Sequence, residues 1–120
     1  MVRLMIADKS TTVRRVGVRI LSSLDFAVIE ATSALDALHK CEAMMPQILI
    51  VDASMDGALE LIANIRRLPQ GQECQIYYCI VSADLKTLMT GKRAGADGFL
   101  LKPFDRKVLT SVFGNVALVA

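Results

Sequence analysis

Four polar stations punctuate a chain that is 53% hydrophobic: Asp8-Lys9, Asp52, Ser82 and Lys102. Each follows a short apolar run, so each falls where a strand would end. Two carboxylates, a hydroxyl and two amines suit phosphoryl chemistry. A carboxylate at the mouth of a buried strand can act as a nucleophile and form an acyl phosphate. A second carboxylate can help hold Mg²⁺, which prefers oxygen ligands and keeps several waters. A hydroxyl and an ammonium can hold the oxygens of the incoming group. Catalysis of this kind is mostly positioning and charge neutralisation.

The elements that must position these residues are legible as alternating patterns. Strands are expected at residues 2–7, 26–30, 48–51, 75–81 and 97–101. Helices are expected at residues 10–24, 33–44, 56–68, 84–93 and 105–116, the fourth short and loosely held. Val13, Val16, Gly17, Ile20, Leu21 and Leu24 form one stripe of the first helix, and Ser10 or Thr11 can cap it. Ile48-Leu49-Ile50-Val51 shows no alternation, as a central parallel strand buried on both faces requires. Strict strand–helix alternation predicts an α/β fold: a five-stranded parallel sheet of order 2-1-3-4-5 with helices on both faces. In such a sheet, ligands bind outside the carboxyl ends of the strands, at the switch point between strands 1 and 3. Asp8 and Asp52 flank that point.

The run Asp8-Lys9-Ser10-Thr11-Thr12-Val13-Arg14-Arg15, then Asp52, Ser82-Ala83, Ala94-Gly95-Ala96-Asp97-Gly98-Phe99 and Lys102-Pro103-Phe104 resembles the receiver domains of bacterial response regulators. The similarity covers nearly the whole chain, with four motifs at the right strand ends in the right order. The resemblance implies that Asp52 is a phosphoacceptor. It implies Mg²⁺ held by Asp8, Asp52 and the backbone carbonyl of Ser54. Ser82 would hydrogen-bond the phosphoryl group and Lys102 would pair with it. The Lys102–Pro103 bond would be cis. Phe99 would be the switch aromatic that turns inward as Ser82 moves. The implied partners are a histidine kinase or histidine phosphotransfer protein, and a downstream protein read through helix 4, strand 5 and helix 5. The chain would then be a signalling protein in a two-component phosphorelay, with no enzymatic activity beyond its own phosphorylation and dephosphorylation.

Two departures from the family pattern bear on the metal. Receivers usually carry two acids at the end of strand 1, and here Lys9 takes the place of a direct ligand. At ~4 Å and an effective dielectric near 20, repulsion is on the order of 4 kcal/mol per unit charge, doubled for a divalent ion. Weak or absent Mg²⁺ binding follows, with Lys9 either beside Asp52, partly replacing the cation, or turned to solvent. The loop Asp52-Ala53-Ser54-Met55-Asp56-Gly57 also lacks the usual Met-Pro step. Helix 3 is therefore expected to start early, at Asp56, with Asp56 as its N-cap or a compensating carboxylate. These losses leave open a degenerate receiver that acts as a phosphorylation-independent interaction module. Arg14, Arg15 and Arg19 along helix 1 leave open a cyclic-dinucleotide receiver, since guanidinium groups chelate phosphate and stack on bases. Solvated helix faces are the simpler reading of those arginines.

The remaining features set bounds. The 120 residues suit one domain, residues 1–120. A formal charge of +2 does not by itself imply nucleic acid, and no DNA binding is expected of this chain. No apolar run reaches the roughly 20 residues of a membrane helix, and the N-terminal run has strand length, so a cytoplasmic location is expected. A monomer or weak dimer is expected. Cys41, Cys74 and Cys79 form no C-x-x-C pair and read as reduced core thiols. His39, the only histidine, has no ligand at clear spacing.

Overall fold

A computed structural model describes residues 1–116. The apolar run that ends at Asp52 forms β3 (Ile48–Asp52), every residue of which is buried. It lies between β1 (Arg3–Ala7) and β4 (Gln75–Ile80), with β2 (Ala27–Ala31) and β5 (Gly98–Leu101) at the edges. The order is β2-β1-β3-β4-β5 and every pairing is parallel. This is the expected sheet.

Side-chain parity divides the core. Met5, Leu49, Val51, Ile76 and Tyr78 face one layer. It is made of α2 (Ala34–Ala43), α3 (Ala58–Arg67) and α4 (Leu85–Ala94). Leu4, Ile6, Ile50 and Leu100 face the other, made of α1 (Thr11–Ser23) and α5 (Arg106–Phe113). In α1 the side chain of Ser10 accepts from Val13 N, which stabilises the helix start by about 1 kcal/mol. Ser33, Asp84 and Asp105 cap α2, α4 and α5 in the same way. The caps therefore set the starts of α1, α2, α4 and α5, and with them the turns that follow β1, β4 and β5, where three of the four polar stations lie.

Several expectations need correction. Helix α3 starts at Ala58 rather than Asp56, because Gly57 takes a left-handed conformation (φ 79°) that ends the preceding turn. Asp56 is exposed, and no side chain caps α3, so Asp56 is not the N-cap. Val16 leaves the buried stripe of α1 and is 42% exposed, because the stripe narrows to Gly17, Ile20 and Leu21. A 3₁₀ turn, Pro69–Gln72, stands where a plain loop was expected. The last helix ends at Phe113, short of residue 116, with Gly114 and Asn115 in a turn. Helix α4, expected to be short, runs 10 residues like α2 and α3, with Gly91 its one buried residue and Leu85 and Met89 exposed. Cys41, Cys74 and Cys79 are free and buried, and burial pushes their thiols up to about 11, 12 and 12. Among the described residues no helix is long and apolar enough to cross a membrane.

Candidate functional site: an acidic pocket closed by a lysine

Parallel pairing puts the ends of β1, β3 and β4 at one rim of the sheet, in register Ala7↔Val51↔Tyr78. Asp8 and Asp52 therefore emerge side by side. Both are buried, their side chains 4% exposed. Lys102, just past β5, reaches back to both. Its Nζ lies 2.7 Å from Asp8 Oδ2 and 3.0 Å from Asp52 Oδ1. Its own amide donates to Ile80 O at 2.8 Å, which anchors the base of the side chain. The Lys102–Pro103 peptide is cis, as the resemblance implied.

Each carboxylate has further donors. Asp8 Oδ1 accepts from Ser10 N at 2.8 Å. Asp52 Oδ1 accepts from Ser54 N at 3.1 Å, and the Ser54 hydroxyl lies 3.1 Å from Oδ1 and 2.9 Å from Oδ2. Burial pushes the Asp52 carboxyl up, but hydrogen bonds from Lys102 and Ser54 outweigh it and hold the group below its ordinary value. For Lys102, burial works downward, yet its bonds to Asp8 and Asp52 leave the ammonium above its ordinary value. The pair is therefore charged across the neutral range.

The other expected site residues are distributed more loosely. Ser82 is exposed and lines a cleft of about 340 Å³ with Asp52, Ser54, Tyr78, Asp84 and Thr87. Phe99 is half-buried, in register with Tyr78, and both rings lie under Gly91 of α4. A Cβ on Gly91 would stand 2.6 Å from Tyr78 Cδ2 and 3.1 Å from Phe99 Cε1. His39 is exposed on α2.

Of the two places expected for Lys9 the structure takes the second, and the expectation for Arg14 changes. Lys9 is exposed and turned to solvent, so the cation beside Asp52 is Lys102. Arg14 is not on a solvated face. It is 8% exposed, with Nη1 on Asp8 O at 2.6 Å, Nε on Glu30 Oε1 at 3.1 Å and Nη2 on Thr11 Oγ1 at 3.3 Å. Its guanidinium is committed to bracing the β1–α1 turn, which removes it from any dinucleotide-binding cluster. Arg15 and Arg19 are exposed.

Three contributors escaped the sequence reading. The Ser54 amide bond was readable, since an aspartate often accepts from the amide two residues on in an Asx turn, whereas the hydroxyl's bonds to both oxygens carried no such signal. Tyr78 shared the parity of Ile76 and Ile80 and passed for core alone. Arg14 carried no local signal, because its partners Asp8 and Glu30 come from two other strands' ends.

The donor set is a poor fit for Mg²⁺. It supplies two carboxylates, both already on Lys102, and a lysine at the third family position. Among the described residues no group of three His, Cys, Asp or Glu side chains could hold a metal ion.

The sequence pattern of the response regulator receiver domain matches residues 4–113. The chain is similar to chemotaxis protein CheY1 of Helicobacter pylori, 29% identical over 111 residues, which span 89% of this chain and 90% of that one. It is similarly 29% identical over 109 residues to chemotaxis protein CheY of Listeria monocytogenes, covering 88% and 89% of the two chains. In structure it resembles chemotaxis response regulator CheY4 of Vibrio cholerae, with a TM-score of 0.90 at 24% identity over 97% of this chain and 98% of that one. A five-stranded sheet that brings Asp8, Asp52 and Lys102 to one rim, under a pattern matched almost end to end, makes this chain a member of the response regulator receiver domain family.

Proposed function

We propose that this domain accepts a phosphoryl group on Asp52 from a phosphohistidine, on a histidine kinase or phosphotransfer protein, and signals through protein contacts. The observation that carries the reading is Lys102 Nζ at 3.0 Å from Asp52 Oδ1. Oδ1 is held by Lys102 and by the amide and hydroxyl of Ser54, whereas Oδ2 accepts from the Ser54 hydroxyl alone. Oδ2 is therefore the freer oxygen and the attacking one once that hydroxyl turns away. It attacks phosphorus, a P–O bond forms, the P–N bond breaks, and the imidazole leaves with a proton from solvent. Lys102 and Ser82 then hold phosphoryl oxygens, and water hydrolyses the acyl phosphate.

Supporting a readout through α4, β5 and α5, Leu85 and Met89 of α4 and Leu101 of β5 are exposed apolar residues. The domain acts as a cytoplasmic switch or phosphate shuttle rather than as an enzyme with a separate substrate. Treatment of the chain with phosphoramidate, followed by intact mass spectrometry, should add one phosphoryl group, and Asp52→Asn should abolish it. An unmodified wild-type chain defeats the reading and favours the phosphorylation-independent module, for which the pre-neutralised carboxylates speak. Partner binding that is equal with and without the donor, and intact in Asp52→Asn, would identify that module.

A further inference from the structure

We infer that the Asp8–Asp52 pocket excludes Mg²⁺ and meets an incoming phosphoryl group with its own cations, Lys102 and Lys9, and that Lys9 is the residue that sets this. The second half rests on the phosphoacceptor reading; the first does not.

Three carboxylates gather at the end of β1 and its neighbours: Asp8, Asp52 and Glu30. Two cations pair with them, and a third follows in sequence. Lys102 bridges Asp8 and Asp52 at 2.7 and 3.0 Å. Arg14 pairs with Glu30 at 3.1 Å and reaches the Asp8 carbonyl at 2.6 Å. Lys9 follows Asp8 directly and is exposed. Asp8, Asp52 and Glu30 are all ion-paired before any metal enters, so a divalent ion has to displace Lys102 beside the exposed ammonium of Lys9. Asp84 lines the same cleft but caps α4, with Thr87 N and Oγ1 each 2.9 Å from its oxygens.

An anionic group meets the opposite situation. Lys102 is in contact with Asp52, and the flexible four-carbon stem of Lys9 lets its ammonium swing toward a phosphoryl group. An aspartate at position 9 would change the local charge by two units and set a further carboxylate beside Asp8, which favours a divalent cation. Lys9 is thus a specificity-determining residue for cation dependence.

The test titrates MgCl₂ into the whole chain, read by amide NMR shifts at Asp8, Ala53 and Ser54. Wild type should show no saturable shift through the millimolar range, whereas Lys9→Asp should show one. Lys9→Gln, which changes the charge by one unit, should lie between and serves if Lys9→Asp does not fold. In a second arm, phosphoramidate labelling is followed with and without EDTA. EDTA should leave the wild-type rate within about twofold and slow Lys9→Asp by about tenfold or more. Saturable wild-type binding of Mg²⁺, or wild-type labelling that EDTA abolishes, overturns the inference. If no protein is labelled under any condition, the phosphoacceptor reading and the second half fall together, and the MgCl₂ arm still decides whether Mg²⁺ is excluded.

Discussion

The hydroxyl of Ser54 lies across both oxygens of Asp52, 3.1 Å from Oδ1 and 2.9 Å from Oδ2. The residue expected to lend a backbone carbonyl to a metal turns its side chain and amide onto the carboxylate. Ser54→Ala should remove the hydroxyl's hydrogen bonding, worth about 1–3 kcal/mol to a charged acceptor. It should raise the Asp52 carboxyl toward its ordinary value, which a ¹³C-carboxyl NMR titration measures. It should also speed phosphoramidate labelling, because Oδ2 no longer has to shed a donor. A titration unchanged by the substitution would show that the hydroxyl contributes nothing to the charged form.

Acid stability should depend on Asp52. Its carboxyl is held below the ordinary value in the folded chain, so the stabilisation is complete above the unfolded carboxylate pKa of ~4 and is lost as pH falls through the folded value. Lys102 is raised, so its share is complete below the unfolded value of ~10.4 and is lost as pH rises through the folded value. Urea midpoints measured from neutral pH into the acid range should fall less steeply for Asp52→Asn than for wild type. Parallel slopes would show that the pair is not coupled to folding.

Removal of Lys102 leaves two buried carboxylates facing each other without their shared donor. Lys102→Met should cost about 2–4 kcal/mol at neutral pH and push one carboxyl upward, since like charges at such separation resist joint ionisation. Denaturant unfolding and carboxyl titration check both. Asp8→Asn in the same background should recover part of the loss, because it removes one of the stranded charges.

Arg66 ties the far end of α4 to the body of the fold. Its Nε and Nη2 donate to Gly95 O at 2.9 and 2.7 Å, its Nη1 to Gly71 O and Cys74 O at 2.8 and 2.7 Å, and its Nη2 to Asp97 Oδ2 at 2.7 Å. Arg66→Ala strips donors from several backbone carbonyls at once and should cost about 2–3 kcal/mol by urea unfolding. The opening should be local as well, with faster amide exchange at Gly95 and Ala96, whose N–H groups close the α4 turn on Gly91 and Lys92.

Gly91 is a seat for two rings. Gly91→Ala places a methyl 2.6 Å from Tyr78 Cδ2, and a buried ring cannot yield as a flexible chain end would. The substitution should cost about 1–3 kcal/mol, and Tyr78→Leu beside it should return most of that. Additive losses in the double variant would place the strain elsewhere.

How much was legible differs from element to element. Ile48 to Val51 named itself as the central strand because four apolar residues without alternation suit only a strand covered on both faces. Asp8, Asp52 and Lys102 followed as its rim once strand order was inferred, since parallel register aligns the carboxyl ends. Asp56 misled, because an acid before an apolar run reads as a cap until the left-handed turn at Gly57 moves the helix start past it.

The order of residues alone thus determined which side chains meet at the rim, because strand parity and chain direction are local properties that alternation carries openly. What only the folded chain decided was which cation stands against Asp52 and where Arg14 goes. Lys9 is next to Asp8 in sequence yet faces solvent, while Lys102 arrives from 94 residues away to touch it. Contacts of that range are set by the packing of β5 and α5 on the sheet and by the balance of charges across several strand ends, neither of which any short window of sequence contains.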